Sequence, residues 1–296
     1  MSFINIDSYY ELEDGTSVYV CIHPNGTVKQ VRFDDLILAI KTMNRDSFNA
    51  VVKNGKIVRS NGDAIGRRDI VRFQSDSTLV DKYTLTVDQN VFIAKRNIVD
   101  YIWKSAQLEG IAVTYPDTEA IVNGLVVSGM HVDDIQAINN LKHAWRFILE
   151  TTSYPTNYAL ICKINQFVGV NLFPNAGSIR AVPVSIGGTT WKPDIPIESQ
   201  IKEELTEIFE IQGKTEKAIT LMLHLMRKQM FIDGNKRTAM LTGNHVMVTN
   251  GVGIISVPIE LQPGFTELLV YYYETNNMNE IKKFVYDNCI DGIILD

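Results

Sequence analysis

The stretch QMFIDGNKRTAM, from Gln229 to Met240, lies between two segments of helical character and decides how the rest of the chain is interpreted. Asp-Gly dipeptides often form the turn of a β-hairpin, but neither flank of this one has the character of a strand. A polar turn between two helices is the simplest interpretation, with Phe231 anchoring the turn in the core. The composition of the turn also fits a second interpretation, which is a binding site for an anion.

The residues of the turn supply the groups that hold a phosphate. Gly234 and Asn235 tolerate positive φ, which allows successive backbone N–H groups to face one concavity. The helix predicted to start near Lys236 adds its N-terminal dipole and its unpaired N–H groups. Lys236 and Arg237 place two cations where the dipole disfavours them, which indicates that an anion occupies the site. Asp233 then supplies an oxygen ligand for Mg²⁺. The G-x-x-x-x-G-K-S/T pattern of a Walker A loop is absent.

The composition is that of an ordinary globular protein. The 296 residues are 45% hydrophobic and 21% charged, and their net charge is −6. A negative charge argues against general binding of nucleic acid or anionic membranes, since both attract a basic face.

Cys21, Cys162 and Cys289 show no metal-binding spacing, which fits a reducing compartment. We find neither a basic and apolar leader nor an apolar run of membrane length, so a cytoplasmic protein is expected.

The chain divides into two regions of different character. Residues 1–88 contain hairpin signals at Pro24-Asn25-Gly26 and at Asn54-Gly55, and the stretch KYTLTV, residues 82–87, predicts a last strand. This region is predicted to be a small α+β module, to which no role is assigned. Residues 89–296 show mainly helical periodicity and are predicted to form one helical domain.

One insert interrupts the predicted helical domain. A helix is expected over about residues 91–110, ending at Gly110, since glycine commonly follows a helix C-terminus. The insert AGSIRAVPVSIGGTTWKPDIP, at about residues 177–196, combines a strand-like run, a Gly187-Gly188 turn and several prolines, and it is predicted to be a β-hairpin. The later segment Thr215–Lys228 is apolar on almost all sides, which predicts a buried central helix.

Three stretches resemble signature segments of the Fic/Doc (Fido) family. The first, FIDGNKRTA, is similar to the family loop H-x-F-x-D/E-G-N-G/K-R-x-x-R and matches it at every specified position except the first and the last. The second, SAQLEG, resembles the family's inhibitory motif S/T-x-x-x-E-G/N. The third, the insert at 177–196, resembles the flap that docks a target segment. The resemblance covers roughly residues 90–290 and implies a mainly α fold, a Fic-type helical bundle with a β-hairpin flap, preceded by the α+β module.

The resemblance also implies a function and assigns roles to residues. Family members bind ATP with Mg²⁺ and commonly transfer AMP to a hydroxyl of a target protein. Asp233 is then the metal ligand, and the residues from Gly234 to Arg237 form the anion hole. Ser105, Glu109 and Gly110 form the inhibitory motif, in which the glutamate opposes productive nucleotide binding. The flap is implied to dock the target protein, while the formation of homo-oligomers is left open.

The sequence departs from the family pattern at two positions. Gln229 stands where the catalytic His is expected, and Met240 stands where the second Arg is expected. An amide cannot accept a proton near pH 7, and a general base typically contributes about 10²–10⁴ in rate. His224 and His245 lie on the flanking helices away from the turn, and neither is expected to replace the base. The sequence therefore predicts a Fic-type nucleotide-binding protein that is impaired in AMP transfer.

Three alternative functions remain open. A non-catalytic regulatory module would keep the anion site without any transfer. The NKRTA sequence and the missing second Arg also resemble the Doc branch, in which phosphate transfer replaces AMP transfer, although Doc keeps its His. Residues 218–247 also fit a helix-turn-helix DNA binder, with Asn235, Lys236 and Arg237 opening the recognition helix. The negative net charge and the flap-like insert argue against that last alternative.

Overall fold

The computed structural model describes residues 4–11, 15–24, 28–43, 47–67 and 79–294. The chain divides into two compact units. The first unit comprises residues 1–72, 181–183 and 194–197, and the second comprises residues 73–180, 184–193 and 198–296. None of the described helices is long and apolar enough to cross a membrane.

The first unit is a small α+β structure. Its elements are β1 (Asn5–Glu11), β2 (Ser17–Ile22), β3 (Val28–Arg32), α1 (Phe33–Thr42), β4 (Ala50–Lys53), β5 (Lys56–Arg59) and β6 (Gly66–Arg67). The main sheet has the strand order β3-β2-β1-β6, and β6 runs parallel to β1. Ile6, Tyr19, Leu36 and Ile57 contribute to a core between the strands and the helix.

The second hairpin signal of this unit is confirmed. Strands β4 and β5 pair antiparallel up to the pair Lys53 and Lys56. The two residues between them, Asn54 and Gly55, take positive φ values of 50° and 74°, as the predicted turn requires. At the first signal, β2 and β3 also pair antiparallel, but Asn25 and Gly26 lie outside the described residues.

The second unit is almost entirely helical. Its helices are α2 (Val87–Arg96), α3 (Ile98–Leu108), α4 (Tyr115–Val122), α5 (Val132–Glu150), α6 (Tyr158–Gly169), α7 (Glu198–Glu210), α8 (Lys214–Lys228), α9 (Asn235–Thr249), α10 (Gln262–Thr275) and α11 (Asn279–Asn288). Two short strands, β7 (Ile254–Ile255) and β8 (Ile290–Asp291), pair antiparallel. The mainly helical character predicted for this part of the chain is confirmed.

Helices α8 and α9 form the centre of this unit. Helix α8 is buried on nearly all sides, as predicted for its apolar sequence. Helix α9 contributes to two apolar clusters, with Met247 in the cluster around α8 and Leu241 and Val248 in the cluster around α5 and α6. The turn between α8 and α9 is therefore held by the most deeply buried helices of the unit.

Three local predictions are wrong. No strand forms over residues 82–87, because Thr86 and Gln89 exchange the two hydrogen bonds of a capping box and start α2 at Val87. The predicted continuous helix over residues 91–110 is divided into α2 and α3 at Asn97, whose φ and ψ are −103° and 13°.

The predicted β-hairpin at residues 177–196 contains no paired strands. Only the turn at Gly187-Gly188 remains, with φ of 86° at Gly188. Prolines interrupt this segment, and each lacks the N–H that a strand ladder needs. The segment keeps the place of the predicted flap in the chain but not its hydrogen bonding.

Candidate active site at the start of helix α9

Gln229 ends α8 in a left-handed conformation, with φ of 48° and ψ of 58°. Its side-chain Nε2 donates to the carbonyl of Met226 at 2.6 Å, which satisfies one of the carbonyls that a helix end leaves without a partner. Its own carbonyl accepts a hydrogen bond of 2.6 Å from Nε of the buried Arg180. The amide at the position of the family His thus helps to close the helix.

The Asn235 side chain closes the turn. Its Oδ1 accepts from the backbone N–H of Phe231 at 2.9 Å, and its Nδ2 donates to the carbonyl of the same residue at 2.8 Å. Phe231 is buried, as expected for an anchor. Asn235 lies in the first turn of α9 and does not take positive φ, so the prediction of a positive φ at this residue is wrong.

Gly234 is the residue that supplies positive φ, at 73°, as predicted. A Cβ at this position would lie 2.8 Å from Cγ1 of Val168 and 3.2 Å from Cζ of Phe173. Asn165 on α6 holds the same stretch, since its Nδ2 donates to the carbonyl of Asp233 at 3.0 Å and to Oγ1 of Thr238 at 3.1 Å. Both the conformation and the packing therefore require glycine at this position.

We expect Gly234→Ala to lower the free energy of unfolding by about 2–3 kcal/mol, because it adds a close contact to an unfavourable φ. Gly110→Ala is the matched control. Gly110 has a similar φ of 79°, but no atom lies within 4 Å of its ideal Cβ position. Gly110→Ala is expected to lower the free energy of unfolding by about 1 kcal/mol, because only the unfavourable φ contributes and no close contact is added. Urea denaturation of both variants measures the difference, and equal losses would contradict the packing argument.

Four charged side chains meet at the start of α9. Arg237 lies between two carboxylates, with its Nε 3.6 Å from Oε2 of Glu109 and its Nη2 3.6 Å from Oδ1 of Asp233. Lys236 places its Nζ 3.4 Å from Oε1 of Glu109. The Arg237 side chain is 8% exposed and that of Glu109 is 15% exposed, while that of Asp233 is 61% exposed. The end of α3 therefore lies against the predicted anion hole, with its carboxylate facing both cations.

The contacts of Glu109 are loose. Within the described part of the chain, its buried Oε1 and the Nε of Arg237 have no hydrogen-bond partner. Glu109 is also the C-cap residue of α3, and the following Gly110 takes the positive φ predicted for it. The carboxylate is thus attracted by two cations without being bound in good hydrogen-bond geometry, which leaves it replaceable by another anion.

Asp233 has the freedom that a metal ligand needs. One carboxylate oxygen accepts from the backbone N–H of Gly234 at 2.6 Å, while the side chain stays largely exposed. Among residues 79–294 and the other described segments, no group of three or more His, Cys, Asp or Glu side chains is placed to hold a metal. Asp233 is the carboxylate of this turn that could hold Mg²⁺, with phosphates and water as the other ligands, which is the usual arrangement for this ion.

Ser105 and Met240 add no charge to this cluster. Both line a small cavity between α3 and α9, which Tyr101, Trp145 and Asn244 also line. Met240 is buried and brings no charge to the place where the family has its second Arg. Glu109 consequently faces Lys236 and Arg237, the two cations of the predicted anion hole.

The two histidines near the turn in sequence have other partners. His245 is buried, with its Nδ1 2.7 Å from Oγ1 of Thr156 and its Nε2 3.2 Å from the carbonyl of Thr151. Burial lowers the pKa of His245. His224 lies with its Nε2 3.1 Å from Oε2 of Glu204 on α7. The structure therefore shows both histidines in the core, away from the start of α9.

Arg180 and Asn165 hold the turn but were not identified from the sequence. Arg180 connects the segment after α6 to the turn, since its backbone N–H donates to Met230 at 2.9 Å and its guanidinium donates to Gln229 and, at 3.4 Å, to Pro193. The available signal for Asn165 was a polar residue on the apolar face of a predicted helix. For Arg180, the sequence near the turn gave no signal.

The Fic/DOC family model matches residues 155–247, which contain α6 to α9 except for the last residues of α9. The curated protein adenylyltransferase fic-1 of Caenorhabditis briggsae is 24% identical over 199 residues, which are 62% of this chain and 38% of that protein. The protein of the same name from Caenorhabditis elegans is 24% identical over 195 residues. The chain thus spans well under half the length of these curated relatives.

Solved structures show the same fold. Fic-1 from C. elegans aligns with a TM-score of 0.56 and 19% identity, covering 67% of this chain and 62% of that chain. A Fic domain containing signaling protein from Bacteroides thetaiotaomicron aligns with a TM-score of 0.57 and 18% identity, covering 68% and 84%. Residues 155–247, which include the turn between α8 and α9, therefore match the Fic/DOC family, and the fold of the chain is similar to that of solved Fic proteins.

Proposed function

We propose that this protein binds ATP with Mg²⁺ at the start of α9 and is impaired in the transfer of AMP to a target hydroxyl. The proposal depends on one arrangement of residues. Lys236 and Arg237 place two cations at the N-terminus of α9, and Gln229, at the end of α8, stands where the family has its catalytic His. The curated relatives are protein adenylyltransferases, which gives the reaction class that the site derives from.

The first turn of α9 supports the phosphate-binding half of this proposal. Helix N-termini present backbone N–H groups and a partial positive charge to an anion. Gly234 lets the turn pack closely against α6, since a side chain there would strike that helix, and its positive φ sets the direction of the following N–H groups. Arg237 is largely buried and adds a fixed cation, and Lys236 adds a second cation at the edge. Asp233 would hold Mg²⁺, which supplies charge neutralisation of the phosphates when it is bound.

Gln229 supports the second half, the loss of transfer. A general base must accept a proton from the attacking hydroxyl, and an amide cannot do so. The Gln229 amide in addition donates to Met226, so it is occupied at the end of α8. Without a base at this position, the site keeps the groups that position a nucleotide and loses the group that activates the acceptor.

Glu109 is proposed to inhibit nucleotide binding. Its carboxylate neutralises Lys236 and Arg237 in the absence of ligand and lies where a phosphate would be attracted. The nucleotide must therefore displace it, and the loose contacts of Glu109 keep the free energy of that displacement small.

We expect Glu109→Gln to bind Mg²⁺-ATP about three- to tenfold more tightly than the native chain, because one partly buried competing charge is removed. Titration calorimetry at fixed ionic strength measures both proteins. Glu119→Gln, at an exposed position of α4 outside the four-residue charged cluster, removes the same charge and is expected to leave the affinity unchanged. Unchanged or weaker binding by Glu109→Gln would exclude the inhibitory role, and no binding by either protein would exclude the proposed function.

Residues 177–196 are proposed to dock the target protein, as the family resemblance implies. Their backbone forms no paired strand, so it can offer hydrogen bonds to an extended segment of a partner.

A second candidate function is a regulatory module that binds nucleotide without any transfer. The engagement of the Gln229 amide with the helix end favours this candidate.

A further inference from the structure

Arg180 places a buried cation beside residue 229. The residue is only 2% exposed. A charged group that leaves water loses much of its solvation, so it is stable in the core only where hydrogen-bond acceptors replace the water. The acceptors of Arg180 therefore indicate which parts of the fold depend on it.

Two of these acceptors are the consecutive backbone carbonyls that follow α8. Nε of Arg180 donates to the carbonyl of Gln229 at 2.6 Å, and the backbone N–H of Arg180 donates to the carbonyl of Met230 at 2.9 Å. The C-terminal end of a helix carries partial negative charge, so a cation is favourable there. Gln229 also has a positive φ of 48°, which is uncommon for a residue other than glycine. Two hydrogen bonds from one residue thus hold the backbone conformation in which α8 ends.

The same guanidinium also closes the base of the flap, the segment at residues 177–196. Its Nη2 donates to the carbonyl of Pro193 at 3.4 Å, thirteen residues further along the chain. A planar guanidinium presents its donors in fixed directions, which the ammonium of a lysine does not. Arg180 therefore joins residue 229 and both ends of the flap through a single rigid group.

The middle of the flap has anchors of its own on α10 and α8. Oγ1 of Thr189 donates to Oε1 of Glu274 at 2.7 Å. The Trp191 ring stacks on Tyr273, with centroids 5.8 Å apart, and the guanidinium carbon of Arg227 lies 4.5 Å from the Trp191 centroid. These contacts seat the flap without involving residue 229. The contact that Arg180 adds is the one between the flap and the end of α8.

Two other cations at the end of α8 interact with other elements. Nζ of Lys228 lies 2.6 Å from Oε1 of Glu204 on α7, and Arg227 lies over Trp191. Arg180, in contrast, donates directly to residue 229. A cation held there disfavours a positively charged side chain at position 229 and favours a neutral one. Glutamine meets this requirement, and so does an imidazole in its neutral form, which is the form that accepts a proton.

We propose that Arg180 is a positioning residue for the acceptor side of the site, which holds residue 229 at a fixed place relative to a target segment on the flap and keeps the side chain there uncharged. This inference rests on the proposed function and deepens it. It assigns the placing of the position from which the family His acts to a residue about fifty positions earlier in the chain.

The first test reads the environment of residue 229 directly. NMR titration of the ring C–H signals measures the pKa of the imidazole introduced by Gln229→His, identified by comparison with the native chain. Because a nearby cation disfavours protonation, we expect adding Arg180→Gln to raise that pKa by about one pH unit. Arg227→Gln is the matched control, since it removes an equal charge from the flap contacts and is expected to leave the pKa largely unchanged.

The second test separates positioning from stability. In the Gln229→His and Glu109→Gly protein, we expect Arg180→Lys to lower the labelling rate at saturating Mg²⁺-ATP about tenfold, because the base is no longer held in place. The KM for Mg²⁺-ATP should stay within twofold, since the residues of the anion hole are unchanged. An equal loss of rate with Arg227→Lys would show a general structural effect and contradict the inference.

The outcomes separate this inference from the proposed function. The titration needs no nucleotide, and an imidazole whose pKa is the same with and without Arg180 would overturn the inference whatever the labelling shows. Failure of the Glu109→Gly protein to bind Mg²⁺-ATP would refute the proposed function and with it the part of Arg180 in the reaction, even if the titration behaves as expected. Thermal unfolding checks the fold of each variant. Arg180→Lys, whose flexible ammonium is not fixed at the carbonyl, is expected to give about half the rise in pKa and replaces Arg180→Gln if that variant does not fold.

Discussion

Arg237→Ala is expected to weaken Mg²⁺-ATP binding by about 10- to 100-fold, since a charge-assisted hydrogen bond contributes about 1.5–3 kcal/mol. The Arg237 side chain is 8% exposed and lies in the first turn of α9, between the carboxylates of Glu109 and Asp233. Its guanidinium is therefore desolvated and held in place before a nucleotide binds, which strengthens its interaction with a phosphate. Titration calorimetry of the variant against the native chain measures the loss.

Two controls define this result. Arg146→Ala, at an exposed position of α5, removes an equal charge and is expected to leave the affinity unchanged. Arg237→Ala also leaves Glu109 with Lys236 as its only remaining cation in the cluster, so the variant should be repeated with Glu109→Gln to exclude an effect of the unpaired carboxylate. Unchanged affinity in both backgrounds would show that the nucleotide does not bind at the start of α9.

The local part of the site could be predicted from the sequence. Phe231 in the core, positive φ at Gly234 and Gly110, and the buried character of α8 all follow from residue type and short-range periodicity. These features depend on a few neighbouring residues, and glycine and large apolar side chains limit the choices strongly. The approach of Glu109 to Lys236 and Arg237 was expected only through the family resemblance, because residues so distant in sequence show no common period.

The remaining features depend on tertiary contacts. The Asn235 side chain hydrogen-bonds Phe231 within its own turn, and the residue takes the φ of a first helical turn instead of the predicted positive φ. Arg180 reaches the turn from another segment, so nothing in its local sequence marks it. At residues 177–196 the strand-like composition was outweighed by prolines and by packing of Trp191 against α10.

The structure also gives a physical reason why Gln is accepted at position 229. The residue must end α8 in the left-handed region, where Asn, Asp and His are the more common side chains. Gln compensates by donating from Nε2 to Met226, so its amide stabilises the helix end that it occupies. A His at this position also tolerates the conformation and has two ring nitrogens, one to replace the bond to Met226 and one to accept a proton.

We therefore expect Gln229→His combined with Glu109→Gly to raise the labelling of protein from labelled ATP by at least about tenfold over Glu109→Gly alone. A general base typically raises the rate by about 10²–10⁴, and an imperfect geometry is expected to reduce this gain to about tenfold. Gln229→Asn in the same background is the matched control, because it keeps an amide and adds no base. The assay measures incorporation into the protein itself and into lysate proteins, with Mg²⁺-ATP affinity determined in parallel for each variant.

The two results that contradict this expectation lead to different conclusions. Robust labelling by the native chain would require a base other than residue 229 and would refute the impaired-enzyme proposal. If the double variant shows no labelling but still binds nucleotide, the missing base is not the cause. Met240, which brings no second cation to the phosphates, then becomes the first explanation. In that case the protein uses its Fic/DOC fold to bind a nucleotide under the control of Glu109, and the regulatory module becomes its function.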